Sequence, residues 1–534
     1  MRWKNLMQPR LDAPLPLWMI FPVIFAALYV SHFTLLRLPY YWDEAGYYIP
    51  AAWDFFRTGS LIPITTLTNA HPPLPSVYLA LWWKLSGFYP EVTRETVLMV
   101  AALGLLAVWR LSMRLVGVGS VAFWTVALTG LYPIWFAQST LAHADIFAAA
   151  CTLWGLVYAL PDEDRKPWAA ALWFAAAALC KETAIVIPLT LAAVSFVEGF
   201  RSRPPLRLRL LREAVWLASC ALPLAGWYGW HYAKTGFLFG NPEFLRYNAQ
   251  ANLDPMRMLA AFGHRVLHLT AHMNMFVPVL MAIAALLLDP RKDIEGHERA
   301  AVSVPSLRRI LLLLLVNALL FSVLGGALLT RYLLPMYPLV LLLAVATLYR
   351  RVSYWQALAA FSAAAFVLGL FINPPYGFAP EDNLAYAHVV RLHEAGIAEL
   401  SRQYPGATVL TAWPMTDELT RPELGYLKKP YDVYRLEDFT AAQIARAASE
   451  PEKYTAALVF STKYDPASPL FTLGPKSKAM DEQFFGLHHD LMPEEIAREL
   501  GGALVWKQED QGQWIALIRF NRQLVAQVED QCGL

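Results

Sequence analysis

Two adjacent acids, Asp43 and Glu44, stand in the run YYWDEAGYY. A carboxylate within hydrogen-bond reach of a hydroxyl accepts its proton, so the residue type suits base chemistry. Alone, the pair has an ordinary reading: an Asp capping a helix, with a solvated Glu beside it. Its company argues for more. His71 stands in NAHPPLP, Asp145 in LAHADIF, Lys181 and Glu182 in CKETA, and Arg331 in LTRYLLPMYP. Lys, Arg and His offset negative charge on a departing group. Each lies in or against an apolar run, where ionisable side chains are costly and either line a cavity or pair. No Ser/His/Asp arrangement at helical spacing offers a dedicated nucleophile. His264, His268 and His272 (GHRVLHLTAH) recur at i, i+4 and i+8, one face of a helix. Imidazoles at that spacing can hold a metal, although most such rows are polar faces of interfacial helices. A divalent metal ion at His264 and His268 is the one cofactor the sequence points to.

The elements that must position these residues are built for a bilayer. The chain has 534 residues, of which 57% are hydrophobic and 16% charged; a soluble protein carries about a quarter charged residues. Nineteen Trp and twenty-four Tyr suit the headgroup zone. Apolar runs of spanning length begin near Leu17, Val97, Ser120, Asp145, Trp168, Ile185, Val215, Met273, Ile310, Tyr332 and Ala357, about eleven spans. The basic N-terminus leads into the first run without a small-residue cleavage site and is expected to stay as an uncleaved span. With the N-terminus cytoplasmic, the inside loops hold Arg165-Lys166, the RSRPPLRLRLLR cluster, Arg291-Lys292 with Arg308-Arg309, and Arg350-Arg351. An odd number of spans then puts the C-terminus outside a bacterial-type cytoplasmic membrane. That orientation brings Asp43, His71, Asp145, Lys181 and Arg331 to one depth on the outer side.

The first outside segment, residues 37–95, predicts two interfacial helices. One covers Asp43 to Arg57 and stops at Gly59; the other covers Pro72 to Ser86 and stops at Gly87. A second outside segment, about Thr235 to His272, predicts another. Residues 1–370 thus form an all-α polytopic membrane domain. Residues 371–534 change character. They carry a net charge of about −8, leaving about +10 on the rest. Apolar strands at Ala407, Ala456, Ala503 and Trp514 alternate with helical runs at His388 to Tyr404, Ala441 to Ser449 and Pro493 to Leu500, predicting a small α/β domain outside the membrane. No glycine-rich phosphate loop occurs in it. Cys151, Cys180 and Cys220 sit in apolar runs and Cys532 in the tail, so packing is their expected role.

The order of these motifs resembles the GT-C membrane glycosyltransferases: Asp-Glu after span one, His-Pro-Pro, an acid opening span four, Lys-Glu-Thr after span five, and Arg-Tyr-x-x-Pro. It is closest to the protein O-mannosyltransferase and lipid A aminoarabinose transferase group. The resemblance covers about Tyr41 to Leu348 and is most specific over Trp42 to Gly87. It implies a GT-C-like fold, a polyprenyl-phosphate-linked sugar donor and inversion at the anomeric carbon. The acceptor would be a lipid, glycan or protein. The aminoarabinose enzymes carry a lysine where this chain has His71, and they bring a loop histidine near the phosphate, as His264 or His268 would be. Such a donor already has a good leaving group, so the chemistry needs a base, which Asp43 supplies, with Glu44 or Asp145 assisting the oxocarbenium-like transition state. His71, Lys181 and Arg331 are the expected phosphate partners. An outer-leaflet oligosaccharide ligase or polymerase would place its chemistry in late loops, and a transporter would show paired halves; neither pattern is present. The basic Arg201 to Arg212 cluster is a topology signal, so membrane lipids rather than nucleic acid are the expected surroundings.

Overall fold

The computed structural model describes residues 16–66, 68, 71–160, 165–238, 253–293, 295–464, 475–485 and 489–520. Among the described residues four helices are long and apolar enough to cross a membrane: Leu17–Leu35, Pro90–Leu115, Glu182–Arg201 and Val304–Val323. Shorter apolar helices run over Gly119–Leu131, Ala144–Ala159, Pro167–Cys180 and Trp355–Phe371. Each of the eleven apolar runs read from the sequence falls on helix, but their lengths do not establish eleven crossings. Burial separates the centre of the bundle from its rim. In the Pro90–Leu115 helix 72% of the most apolar window is buried, against 22% for Leu17–Leu35. The rim helices turn large apolar side chains outward, such as Trp18, Val23, Val30, Leu172 and Leu222. Water would penalise that surface and a lipid phase does not.

Three breaks in the helices have identifiable causes, and they put chemistry-bearing residues on turns. Lys181 is extended between Pro167–Cys180 and the short turn Glu182–Ile185. Arg331 lies in the turn Thr330–Leu333, not at the head of a helix starting at Tyr332. The following helix starts only at Tyr337, where Pro338 fits its first turn. The histidine-bearing helix Pro255–Thr270 meets Phe276–Ala285 at 100°, because Met273 and Asn274 adopt positive φ of 47° and 66°. Residues 239–252, part of the second outer segment, lie outside the described residues.

The first outer segment contains both expected helices. A π-helical turn, Glu44–Tyr48, runs into Ile49–Thr58, and Leu74–Ser86 follows. Gly59 ends the former at φ 73°, a left-handed position that suits glycine. Trp42, just ahead, is left-handed without that freedom, at φ 47°.

In the C-terminal part, strands β1 (Thr408–Ala412), β2 (Asp432–Leu436), β3 (Ala456–Phe460), β4 (Ala503–Asp510) and β5 (Gln513–Arg519) form one sheet. Its order is β2-β1-β3-β5-β4. β1 pairs parallel with β2 and β3, whereas β5 pairs antiparallel with β3 and β4. β3 is buried along its length, as a central strand reading AALVF should be. The sequence reading missed β2, an edge strand whose DVYRL lacks an apolar run. This unit sits on the first outer segment. Trp413 packs edge-on against Trp42 with ring centroids 5.1 Å apart. A Cβ on Gly46 would come within 2.8 Å of its indole nitrogen. Tyr426 donates to the Tyr40 carbonyl at 2.9 Å, and Arg421 to that of Thr65 at 2.8 Å.

Candidate active site

The two acids that are neighbours in sequence point to different partners. Glu44 is fully buried and faces Arg94, also fully buried. One carboxylate oxygen accepts from Arg94 at 3.0 Å and from the Ala142 amide at 2.6 Å. The other accepts from Arg94 at 3.1 Å and from the Tyr41 amide at 2.9 Å. Arg94 also donates to the carbonyls of Leu38, Pro39 and Thr140. This is a closed clamp. It ties the outer loop to the Pro90–Leu115 helix and to the segment before Asp145, leaving Glu44 no oxygen to spare for a substrate.

Asp43 remains one-fifth exposed. It accepts from Arg331, whose guanidinium also donates to Glu381 and lies 3.4 Å from Asp145 through Nε. Lys181 donates to the other oxygen of Asp145 at 2.6 Å and stands 4.1 Å over the Tyr332 ring. Thus Asp43, Asp145, Lys181 and Arg331, scattered over 289 positions of chain, meet at one place. His71 stands apart from this knot. It pairs with Glu182 at 2.8 Å and stacks on Tyr48.

Two clefts flank the head of the Ala144–Ala159 helix. One, about 520 Å³, is lined by Tyr47, Tyr48, His71, Thr68, Trp227 and Ala144 among others. The other, about 310 Å³, is lined by Asp145, Lys181, Thr152, Asn317, Phe321 and Tyr332 among others. Consecutive residues, Ala144 and Asp145, therefore face different clefts.

Among the described residues the histidine row is not joined by further ligands into a cluster of three. The rings of His264 and His268 are 6.4 Å apart, and both nitrogens of His272 are engaged, with Asp382 at 2.8 Å and Tyr376 at 3.0 Å. Among the described residues no three His, Cys, Asp or Glu side chains are grouped to hold a metal ion, whereas a stable zinc site needs at least three protein ligands. A pair at i, i+4 is two. Among the described residues the row therefore supplies no third ligand beside His264 and His268.

Sequence reasoning missed Glu381 and Asp382, which were assigned to the outer domain without a role. Both are buried. Asp382 accepts from Thr330, beside Arg331, and bonds His272. Burial pushes the Glu381 carboxyl up to about 8 despite the opposing Arg331. Their one signal is placement, an acid pair after a proline (APEDN) close behind the last apolar run.

Residues 70–227, which include His71, Asp145, Lys181 and Glu182, match the family model described as dolichyl-phosphate-mannose-protein mannosyltransferase. No curated protein matches the chain in sequence. Among solved structures, the chain is similar to ArnT from Cupriavidus metallidurans bound to undecaprenyl phosphate. The TM-score is 0.53 at 15% identity, covering 94% of this chain and 98% of that one. It is also similar to the archaeal oligosaccharyltransferase AglB from Archaeoglobus fulgidus in complex with an inhibitory peptide and a dolichol-phosphate. There the TM-score is 0.43 at 11% identity, covering 93% and 74%, too loose a likeness to carry weight. The family match covers residues 70–227 only, and the likeness to ArnT along the chain's length shows the fold, that of the GT-C membrane glycosyltransferases.

Proposed function

We propose that this chain moves a sugar from a polyprenyl-phosphate donor to a hydroxyl of a lipid, glycan or protein acceptor, on the outer face of the membrane and with inversion. The observation that carries the reading is the convergence of Asp43, Asp145, Lys181 and Arg331 through ion pairs, with Asp145 and Lys181 lining a cleft. The smaller cleft, with Lys181 beside Tyr332 and Arg331 at its edge, suits the lipid phosphate. The larger one, with Tyr47, Tyr48 and His71, suits the sugar and the acceptor. Arg331 is shared among carboxylates, and a phosphate placed against it competes with Asp43 for the guanidinium. Asp43 is then left to take the acceptor proton as the hydroxyl attacks the anomeric carbon and the phosphate departs. Lys181 and Arg331 offset the charge gained by the leaving phosphate. Asp145 holds both cations in place. Glu44 positions the loop that carries Asp43 and does not touch the reacting atoms.

The topology proposed with this function has eleven spans, a cytoplasmic N-terminus and residues 371–534 outside, following the Lys and Arg asymmetry of the loops. The test is to incubate the purified full chain with candidate polyprenyl-phosphate sugars and hydroxyl acceptors. Released polyprenyl phosphate and a product of opposite anomeric configuration are expected. Retention of configuration, or no release with any donor of this class, would refute the proposal.

A further inference from the structure

Glu381 is not absorbed by the mechanism above, yet it occupies the same guanidinium as Asp43. It belongs to the short turn Pro380–Asp382, behind the last apolar helix. Its side chain is 4% exposed; one oxygen accepts from Arg331 and lies 3.9 Å from His143 Nδ1. The second oxygen is buried with no hydrogen-bond partner among the described residues, and the same holds for His143 Nε2. A buried carboxylate oxygen without a donor is costly to keep charged.

The charged and titratable groups around it come from five elements. Arg331 comes from the Thr330–Leu333 turn, Asp43 and Tyr41 from the outer loop, Asp145 from the Ala144–Ala159 helix, His143 from the turn before it, and Asp382 from its own turn. Burial, with Arg331, Lys181 and Arg94 adding to it, holds His143 well below its ordinary range, so the imidazole supplies no second cation. Asp382 is taken up by Thr330 and His272. When Glu381 is charged, three carboxylates face Arg331 and Lys181. When it is neutral, two acids face two cations.

From this arrangement we propose that Glu381 is a positioning residue whose proton decides how much of Arg331 is available to an anionic phosphodiester. The inference rests on the function proposed above and deepens it. Neutral Glu381 leaves Arg331 to exchange Asp43 for phosphate. Charged Glu381 keeps the guanidinium and adds a negative charge against the incoming donor. The raised carboxyl, about 8, puts the change where it is measurable.

The test is equilibrium binding of undecaprenyl methyl phosphate to the purified full chain between pH 6 and pH 9.5. This probe is a diester whose single charge does not titrate in that range. Wild type should lose affinity above pH 8, by about tenfold per pH unit. E381Q, neutral at every pH, should bind with a constant Kd whatever its absolute value. E381D, which keeps a titrating carboxyl, should retain a pH-dependent loss. The infrared carbonyl band of a protonated carboxylic acid should be present at neutral pH in wild type and missing in E381Q. A pH-independent Kd in wild type, the wild-type pH dependence surviving in E381Q, or absence of that band would each overturn the inference while leaving sugar transfer standing. No binding of the diester at any pH would instead remove the proposed function, and this inference with it.

Discussion

Replacing Glu44 by Gln separates a supporting role from a chemical one. The wild-type carboxylate accepts four hydrogen bonds, two from Arg94 and one each from the Tyr41 and Ala142 amides. An amide has one oxygen. Its NH2 must face either the Tyr41 amide with one Arg94 nitrogen, or the Ala142 amide with the other, donor against donor in both cases. Arg94 keeps its three carbonyl partners and one hydrogen bond to the amide oxygen, but loses its counter-charge in a site with no exposure. Breaking a buried pair by removing one partner costs about 3–5 kcal/mol. E44Q and R94Q should each show that loss in thermal unfolding in detergent, together with lower turnover per folded molecule, because both release the loop that carries Asp43. The double substitution E44Q/R94Q should cost less than the two losses added, since contacting residues couple by about 0.5–3 kcal/mol. An E44Q protein as stable as wild type but silent in transfer, beside a harmless R94Q, would refute this reasoning and return Glu44 to the chemistry.

Three other outcomes follow from the same geometry. Gly46→Ala places a Cβ within 2.8 Å of the Trp413 indole, overpacking worth about 1–3 kcal/mol; limited proteolysis should show the C-terminal unit cleaved faster, and unchanged proteolysis would contradict the seating described here. Lys181→Ala removes a charged hydrogen bond to Asp145, worth about 1.5–3 kcal/mol. The KM for donor should rise at least about tenfold, with a smaller change in KM for acceptor. An equal rise in both would count against the assignment of the smaller cleft to the phosphate. Stability should also respond to Glu381: its carboxyl is raised in the folded protein, so the proton contributes stability that is fully present below the ordinary carboxylate range and is lost as pH rises through about 8. Wild type should therefore lose melting temperature between pH 6 and pH 8, levelling off above, and E381Q should not.

The apolar helices and most of the strands were legible in the sequence because their periods and lengths survive any tertiary arrangement. β3 reads AALVF and lies buried in mid-sheet, whereas β2 at the edge offers no such pattern. The five ion-bearing motifs stood out because a charge beside apolar residues is anomalous before anything is known of the fold. Their partnerships were not legible. Asp43 and Arg331 are 288 residues apart, and Glu44, expected to assist beside Asp43, points instead to Arg94. Arg94 opens a helix as one charge among several in PEVTRE and reads as surface; only its burial reveals the clamp. Glu381 and Asp382 sit in an acidic, water-soluble stretch where two more acids carry no signal. The histidine row shows the limit of spacing as a signal, since it aligns two rings but says nothing of a third ligand.

The account depends most on Asp43 as the group that accepts the acceptor proton. Asp43→Asn keeps the shape and one hydrogen-bond-accepting oxygen, and removes the charge that takes a proton. Loss of a general base lowers rate by about 10²–10⁴. The decisive measurement is turnover of a polyprenyl-phosphate sugar by purified wild type and Asp43→Asn, with binding of undecaprenyl methyl phosphate followed in parallel. The account predicts transfer reduced by that factor and diester binding retained or strengthened, because Arg331 loses a competing carboxylate. Full transfer by Asp43→Asn would contradict it.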